Sequence, residues 1–219
     1  MLDQLEATGG LESIARKFDF LAPGYSRHDY ADASRYFRRR VEVIHKLGPP
    51  VGPRASVLDL GCGDAGMAEP LLACGWSYRG VDASPGMLAE ASERLGPSCR
   101  FEPGDLEHYE PDEPVDLTVC FRAVVYAKDR PAFFRRVAGY TRTKFVFDFN
   151  PRVQDRRGIE RDLAAAGFTH SAFRPFLLPQ LVGVFAPLRV SLRCLESVPP
   201  AARAALRVRG IWLCAAWTE

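Results

Sequence analysis

Lysine is scarce in this 219-residue chain: it stands only at 17, 46, 128 and 144, and arginine supplies the rest of the 29 basic residues. Against 27 acids the formal charge is +2, too small by itself to indicate a nucleic-acid partner. The arginine preference reads as a genomic or thermal bias. The six cysteines at 62, 74, 99, 120, 194 and 214 form no CxxC pair and no Cys/His metal spacing, so no metal is expected. Several fall inside apolar strand or helix patterns, which suits reduced core thiols of a cytoplasmic protein. No apolar run is long enough to span a bilayer. The stretch Met1–Gly10 carries Asp3 and Glu6 and no continuous apolar run, unlike a secretory leader. Repeats are absent too. With 47% hydrophobic residues, the chain has material for one sizeable core, and we expect one domain over 1–219.

What the chain does have is Val57-Leu58-Asp59-Leu60-Gly61-Cys62-Gly63-Asp64-Ala65-Gly66, a buried strand running into a glycine-rich turn. Glycines at 61, 63 and 66 allow a tight turn, close approach of a ligand and close packing of the next helix. That spacing is common to nucleotide-binding turns. Asp59 before the turn and Asp64 within it sharpen the reading, because two carboxylates repel a pyrophosphate and attract a cationic ligand. S-adenosylmethionine, with a sulfonium, an ammonium and a ribose but no phosphate, meets that requirement.

The next segments follow in the order such a site needs. Tyr78-Arg79-Gly80-Val81-Asp82 reads as a second strand ending in an acid placed for ribose hydroxyls, followed by Ala83. Ser84 and Pro85 suit the N-cap and first position of a helix on which Leu88, Ala91 and Leu95 repeat at helical spacing, closed by Gly96. Met87 in its first turn is placed for an adenine face. Arg100 to Leu106 reads as a third strand with Gly104, Asp105 and Leu106 at its end, suited to the adenine amino group. A fourth strand, Asp116 to Phe121, places Phe121 for the methionine end of the ligand. Bland readings stand beside these: Asp59 as an acid that only braces the glycine loop, Gly104-Asp105 as an ordinary turn, Phe121 as core packing.

Helical segments fill about 11 to 46, and Pro49, Pro50, Gly52 and Pro53 link them to the sheet. We therefore expect a cap over 1–50, a cofactor-binding core over 51–150 and the rest of the sheet over 151–219. A helix over 65–74 contains Pro70, which predicts a kink or a short first turn. Another helix begins near Asp129 and Pro131 and turns Phe133, Phe134 and Val137 to the sheet. The remaining expectations are a fifth strand over 144–150, a helix over 159–166 closed by Gly167, and strands over 168–176 and 211–217. Between the last two, about 179–209, lies an extra segment with interleaved arginines. It reads as a lid or insertion, as a wall of an acceptor pocket, or as a membrane-surface or partner contact.

DLGCGDAG at 59–66, VDASPGMLAEA at 81–91 and GDL at 104–106 resemble the motifs of class I S-adenosylmethionine-dependent methyltransferases. Within that superfamily Phe18 to Tyr25 and Phe121 to Val124 look like the ubiquinone/menaquinone C-methyltransferases and their small-molecule relatives, although Ala138-Gly139-Tyr140-Thr141 replaces their Pro-Gly-Gly turn. The resemblance implies an α/β fold with a doubly wound, mostly parallel seven-stranded sheet. It implies binding through Asp59, Gly61, Cys62, Gly63, Asp82, Ala83, Met87, Gly104, Asp105, Leu106 and Phe121. It also implies direct in-line methyl transfer, which rests mainly on positioning. A base is needed only for acceptors that lose a proton early. Tyr25 and His28, in the cap, are the candidate catalytic residues; Tyr126, Asp148, Asn150 and Arg152 lie at strand ends.

The expected acceptor is a small lipophilic or aromatic metabolite in a pocket built partly by Phe173, Phe176, Leu177 and the extra segment. An RNA or protein methyltransferase is the alternative, as is an inactive S-adenosylmethionine-binding protein. Against a nucleic-acid partner, strand four lacks an Asn-Pro-Pro-Phe type of tetrapeptide and no basic stripe has interleaved aromatics. The cluster of Arg35 and Arg38 to Arg40 reads as a solvated helix face with one or two cofactor-facing arginines. The chain is expected to act as a monomer or homodimer without stable membrane contact.

Overall fold

In the computed structural model, residues 10–181, 186–198 and 210–219 are described. Seven strands form one sheet in the order β3-β2-β1-β4-β5-β7-β6. They are β1 (Ser56–Leu60), β2 (Ser77–Asp82), β3 (Arg100–Pro103), β4 (Val115–Cys120), β5 (Thr141–Phe149), β6 (His170–Phe176) and β7 (Ile211–Trp217). The first five pair in parallel, whereas β7 runs antiparallel to both β5 and β6. The doubly wound α/β expectation holds.

Helices on both faces explain why β1 is buried over four successive residues, Val57–Leu60. Side chains alternate along a strand, so Val57 joins one apolar cluster with Ile44, Leu71, Val119 and Val146, while Leu58 and Leu60 join the opposite one with Phe133, Phe134, Phe145 and Phe147. Asp59 falls on the Val57 side, an acid set into an otherwise apolar face.

Three helices precede the sheet: α1 (Leu11–Leu21), α2 (Tyr25–Asp29) and α3 (Ala33–Lys46). Asp32 caps α3 by accepting from the Arg35 amide at 3.0 Å, and Tyr36, Phe37, Val43 and Ile44 are buried on it. At its far end the Lys144 ammonium donates to the carbonyls of Ile44, Leu47 and Pro49, each at 2.7 Å. One buried side chain thus satisfies carbonyls that the helix end and the following turn leave over. Desolvation pushes the Lys144 pKa down to about 8.

Four more helices join the strands or flank them: α4 (Ala68–Leu72), α5 (Pro85–Leu95), α6 (Arg130–Tyr140) and α7 (Arg156–Ala165). The helix expected over 65–74 is reduced to α4, with Pro70 in its first turn, where no intrahelical N–H bond is lost. The Ser84 hydroxyl caps α5 by accepting from the Met87 amide at 3.1 Å, as its sequence requires. The third strand ends at Pro103, short of the expected Leu106, and leaves Gly104–Leu106 in a loop. Strand β5 starts three residues earlier than expected, because α6 runs through Tyr140 and passes straight into Thr141.

Part of the extra segment, 182–185 and 199–209, lies outside the described residues. The rest includes α8 (Ala186–Glu196), whose last residue is clamped beneath α3. Glu196 accepts from Arg39 Nη2 at 2.6 Å and from the Leu177 amide at 2.9 Å. The arginine cluster divides as expected into a solvated part and an inward part: Arg35 and Arg38 are exposed, whereas Arg39 and Arg40 are buried. Among the described residues, no helix is long and apolar enough to cross a membrane.

Candidate functional site

The carboxyl ends of β1, β2, β4 and β5 open into a cavity of about 820 Å3, roofed by α1 and α2. Open parallel sheets place their ligands at this edge. Asp59, Gly61, Cys62 and Gly63 line it from the first turn, Asp82, Ala83 and Met87 from the second, Gly104, Asp105 and Leu106 from the third, and Phe121 from the fourth. Residues distant in sequence therefore meet in one space.

The glycine turn is tied to the neighbouring strand, since the amides of Gly61 and Cys62 both donate to the Val81 carbonyl, at 2.8 and 3.0 Å. Gly61 has φ +68°, and a Cβ there would lie 2.5 Å from the Ala123 Cβ. Gly63 also takes a left-handed φ of +57°, but a Cβ there meets nothing nearer than Met87 Sδ at 3.9 Å, so this glycine keeps the cavity open.

Asp82 accepts from the Gly63 amide at 2.8 Å and from the Ser84 amide at 2.9 Å, one through each oxygen. A carboxylate offers about four lone-pair sites, so each oxygen keeps capacity for a ligand hydroxyl. Burial nonetheless raises its pKa, with the backbone bonds working the other way. Asp59 is more extreme. Burial pushes its pKa up to about 7, against a hydrogen bond from the Tyr78 hydroxyl at 2.7 Å and the charge of Arg40. A cation brought beside Asp59 favours its ionised form.

Asp64 is committed elsewhere. Its two oxygens accept from the Ser26 amide at 2.9 Å and hydroxyl at 2.6 Å, which fastens α2 to the glycine turn. Asp19 makes a matching tie from α1, accepting from the Ser84 hydroxyl at 2.6 Å and the Gly86 amide at 2.9 Å at the start of α5. Those bonds, Ser84 first, lower the Asp19 pKa. Asp105 closes its own turn onto the Glu107 amide at 3.0 Å and pairs with His108 Nδ1 at 2.7 Å, so its bland reading as a turn former is realised alongside its place on the cavity wall.

A family described as "Methyltransferase domain" matches residues 57–144, the segment that forms the first four strands and reaches into the fifth. Over that segment the chain is similar to methyltransferases. Over 91 residues it is 44% identical to the trans-aconitate 2-methyltransferase of Methylobacterium nodulans, covering 41% of this chain and 35% of that protein. Over 105 residues it is 31% identical to the Escherichia coli O139:H28 protein of that name, covering 47% and 40%. The chain thus spans well under half the length of the curated relatives it matches. Its fold resembles a putative methyltransferase solved with the Haloferax volcanii Trm112 activator (TM-score 0.68, 19% identity, 93% and 98% of the two chains). It also resembles magnesium protoporphyrin IX methyltransferase of Synechocystis PCC 6803 (TM-score 0.62, 16% identity, 97% and 99%).

On the side of α1 and α2, Tyr25 lines the cavity, in edge contact with Phe18 at 6.2 Å between ring centroids. Burial raises its pKa, so it stands as a protonated phenol. His28 is exposed and lies outside the lining. Tyr126, Asp148 and Asn150 line the cavity, whereas Arg152 does not. The pocket expected from Phe173, Phe176 and Leu177 is corrected: Phe176 and Leu177 are buried in the two apolar clusters, and Phe173 packs on Phe149 and Trp212. Alternation along β6 and its pairing with β7 turn these residues inward. Of the extra segment, Gln180 reaches the cavity.

Arg122 was not anticipated as a site residue, whereas Arg40 belongs to the cluster from which one or two arginines were expected to face the ligand, and it lines the cavity. Arg40 lies on Phe121, its guanidinium carbon 4.4 Å from the ring centroid, and pairs with Asp148. Arg122, the second residue after β4, has φ +61° and its amide donates to Asp148 Oδ1 at 2.6 Å. A basic residue close after an apolar strand end was the available signal for Arg122; for Arg40 the cluster gave a candidate but no local pattern chose it among its neighbours. Among the described residues, no group of three or more His, Cys, Asp or Glu could hold a metal ion.

Proposed function

We propose that this chain transfers a methyl group from S-adenosylmethionine to a small organic acceptor. The observation that carries the reading is the set of carboxylates at the ends of β1 and β2. Asp59 and Asp82 face a cavity that a glycine turn opens. Such an edge suits a cationic nucleoside and disfavours a pyrophosphate. In this reading Asp82 takes the ribose hydroxyls and Asp59 faces the ammonium. Met87, Asp105 and Leu106 hold the adenine, and the Gly61, Cys62, Gly63, Ala83 and Gly104 backbone and the Phe121 ring shape the rest. The bound cofactor supplies an electrophilic methyl; the chain's own work is to align an acceptor with it and keep water out.

The acceptor side supports a lipophilic or aromatic substrate, since Phe18, Tyr25, Tyr30 and Tyr126 line it. Tyr25, held protonated, serves as a wall and hydrogen-bond donor, not as a base. The relatives named trans-aconitate 2-methyltransferase support a small molecule as acceptor over RNA or protein. We take residues 1–219 as one working domain with α1 to α3 as its cap. Titration calorimetry with S-adenosylmethionine, S-adenosylhomocysteine and NAD tests the reading. Binding of the first two is expected; tight binding of NAD with neither of the others sinks it.

A further inference from the structure

Resting on that function, we infer that Arg122 is an anchor for a carboxylate or other oxyanion on the acceptor, and so selects amphipathic acids. The guanidinium lies on the cavity wall at the end of β4, with its side chain 31% exposed. Its Nη1 donates to Asp29 Oδ2 at 3.0 Å and to the Tyr30 hydroxyl at 3.2 Å, which fixes the plane of the fork. The guanidinium carbon lies 5.8 Å from both the Tyr25 and Tyr30 ring centroids. A guanidinium carries five N–H donors, and one nitrogen serves both partners here, so the group retains donors for a ligand oxyanion.

The backbone supports the same assignment. A non-glycine residue with φ +61° is costly, and it persists here because Asp148, itself held by Arg40, accepts the Arg122 amide. That arrangement aims the Arg122 side chain at α2 and the aromatic wall. The pair with Asp29 is half open, at 31% and 35% exposed, and Gln180 also donates to Asp29 Oδ2 at 3.4 Å. Asp29 therefore keeps a partner when an acceptor oxyanion takes a share of Arg122.

The test uses the full chain saturated with S-adenosylhomocysteine and, as probes, trans-cinnamate, trans-cinnamamide, fumarate and phenyl phosphate, read by calorimetry. Cinnamate is expected to bind at least about tenfold more tightly than its amide, a margin that one charge-assisted bond supplies. Arg122→Gln should erase that margin while S-adenosylhomocysteine affinity stays within about twofold, and Arg122→Lys should retain part of it. Phenyl phosphate outranking both carboxylates would assign the oxyanion as a phosphate. Equal binding of acid and amide, a preference that survives Arg122→Gln, or no binding of any acid would overturn the proposal. Failure of the wild-type protein to bind S-adenosylhomocysteine would instead strike the proposed function. Should Arg122→Gln lower the melting temperature sharply, Tyr30→Phe provides a milder variant, removing one bond that orients the fork; it should narrow the acid margin without removing it.

Discussion

Arg40 on α3 and Asp148 near the end of β5 form an ion pair across the core, their side chains 1% and 4% exposed. Asp148 also accepts the Arg122 amide, and Arg40 lies over the rings of Phe121 and Tyr36. A single buried carboxylate thus joins the cap helix to two strand ends at the cavity. Removing one partner of such a pair leaves an uncompensated buried charge, at a cost of about 3–5 kcal/mol. Arg40→Met should lower unfolding free energy by that order in urea titrations. The double variant Arg40→Met, Asp148→Leu should recover much of it. Equal stability of Arg40→Met and wild type would show the pair to be dispensable.

In the proposed role beside the ammonium, Asp59 should make cofactor affinity depend on pH. Its folded-state pKa of about 7 lies above the ordinary carboxylate range, so the ligand-free protein holds a proton there that an unfolded chain releases near pH 4. Its contribution to stability is therefore full below about pH 4 and is lost as pH rises through about 7. A cationic cofactor needs the ionised form. Affinity for S-adenosylmethionine should rise by up to about tenfold per unit as pH climbs towards 7, then level off. Asp59→Asn should bind more weakly and flatten the profile; a wild-type profile that is flat from pH 5 to 8 would remove Asp59 from the ligand.

The two glycines of the first turn should fail in different ways. At Gly61 an added Cβ meets Ala123 at 2.5 Å and the residue has φ +68°, so Gly61→Ala combines overpacking with left-handed strain, about 2–5 kcal/mol together. At Gly63 the strain remains but the space is open. Gly63→Ala should cost about 1–2 kcal/mol in stability. Its larger effect should be on cofactor affinity, because the methyl enters the cavity. Denaturation and calorimetry on both variants separate the two; the reverse pattern would mean that Gly63 does not face the ligand.

That Asp59, the glycine turn, Asp82 and Met87 would share one edge of the sheet was legible because each signal is local. Each sits at the junction of a strand and the next helix, and strand and helix periodicity places such junctions at one edge of a parallel sheet. The cap was legible only in outline. That Arg40 would be buried depended on an acid 108 residues away at the end of β5, and no local pattern carries that pairing. His28 and Tyr25 illustrate the same limit: both belong to the short helix α2, yet its packing on the glycine turn through Ser26 and Asp64 sends one to the cavity and the other to solvent. Phe173, Phe176 and Leu177 were misread because β6 is antiparallel to β7 and is packed by both clusters, so its aromatics belong to the core.

Glu196 anchors α8, and this contact decides whether the extra segment is part of the acceptor wall. Its carboxylate is 2% exposed, and it accepts from Arg39 and from the Leu177 amide at the end of β6. Arg39 also pairs with Glu42 at 2.9 Å, so it retains a partner if Glu196 is lost, whereas the Leu177 amide does not. Glu196→Ala should therefore destabilise α8 locally, by about 1–3 kcal/mol for the orphaned donor. Hydrogen exchange within 186–196 should accelerate by one to two orders of magnitude, with exchange in β1 and β4 unchanged. S-adenosylhomocysteine affinity should hold, since α8 contributes no residue to the cavity lining. Acceptor affinity is the discriminating measurement. Loss of acceptor binding would make α8 a support for Gln180 and the wall beside it, and unchanged binding would make the helix a cover for β6 alone.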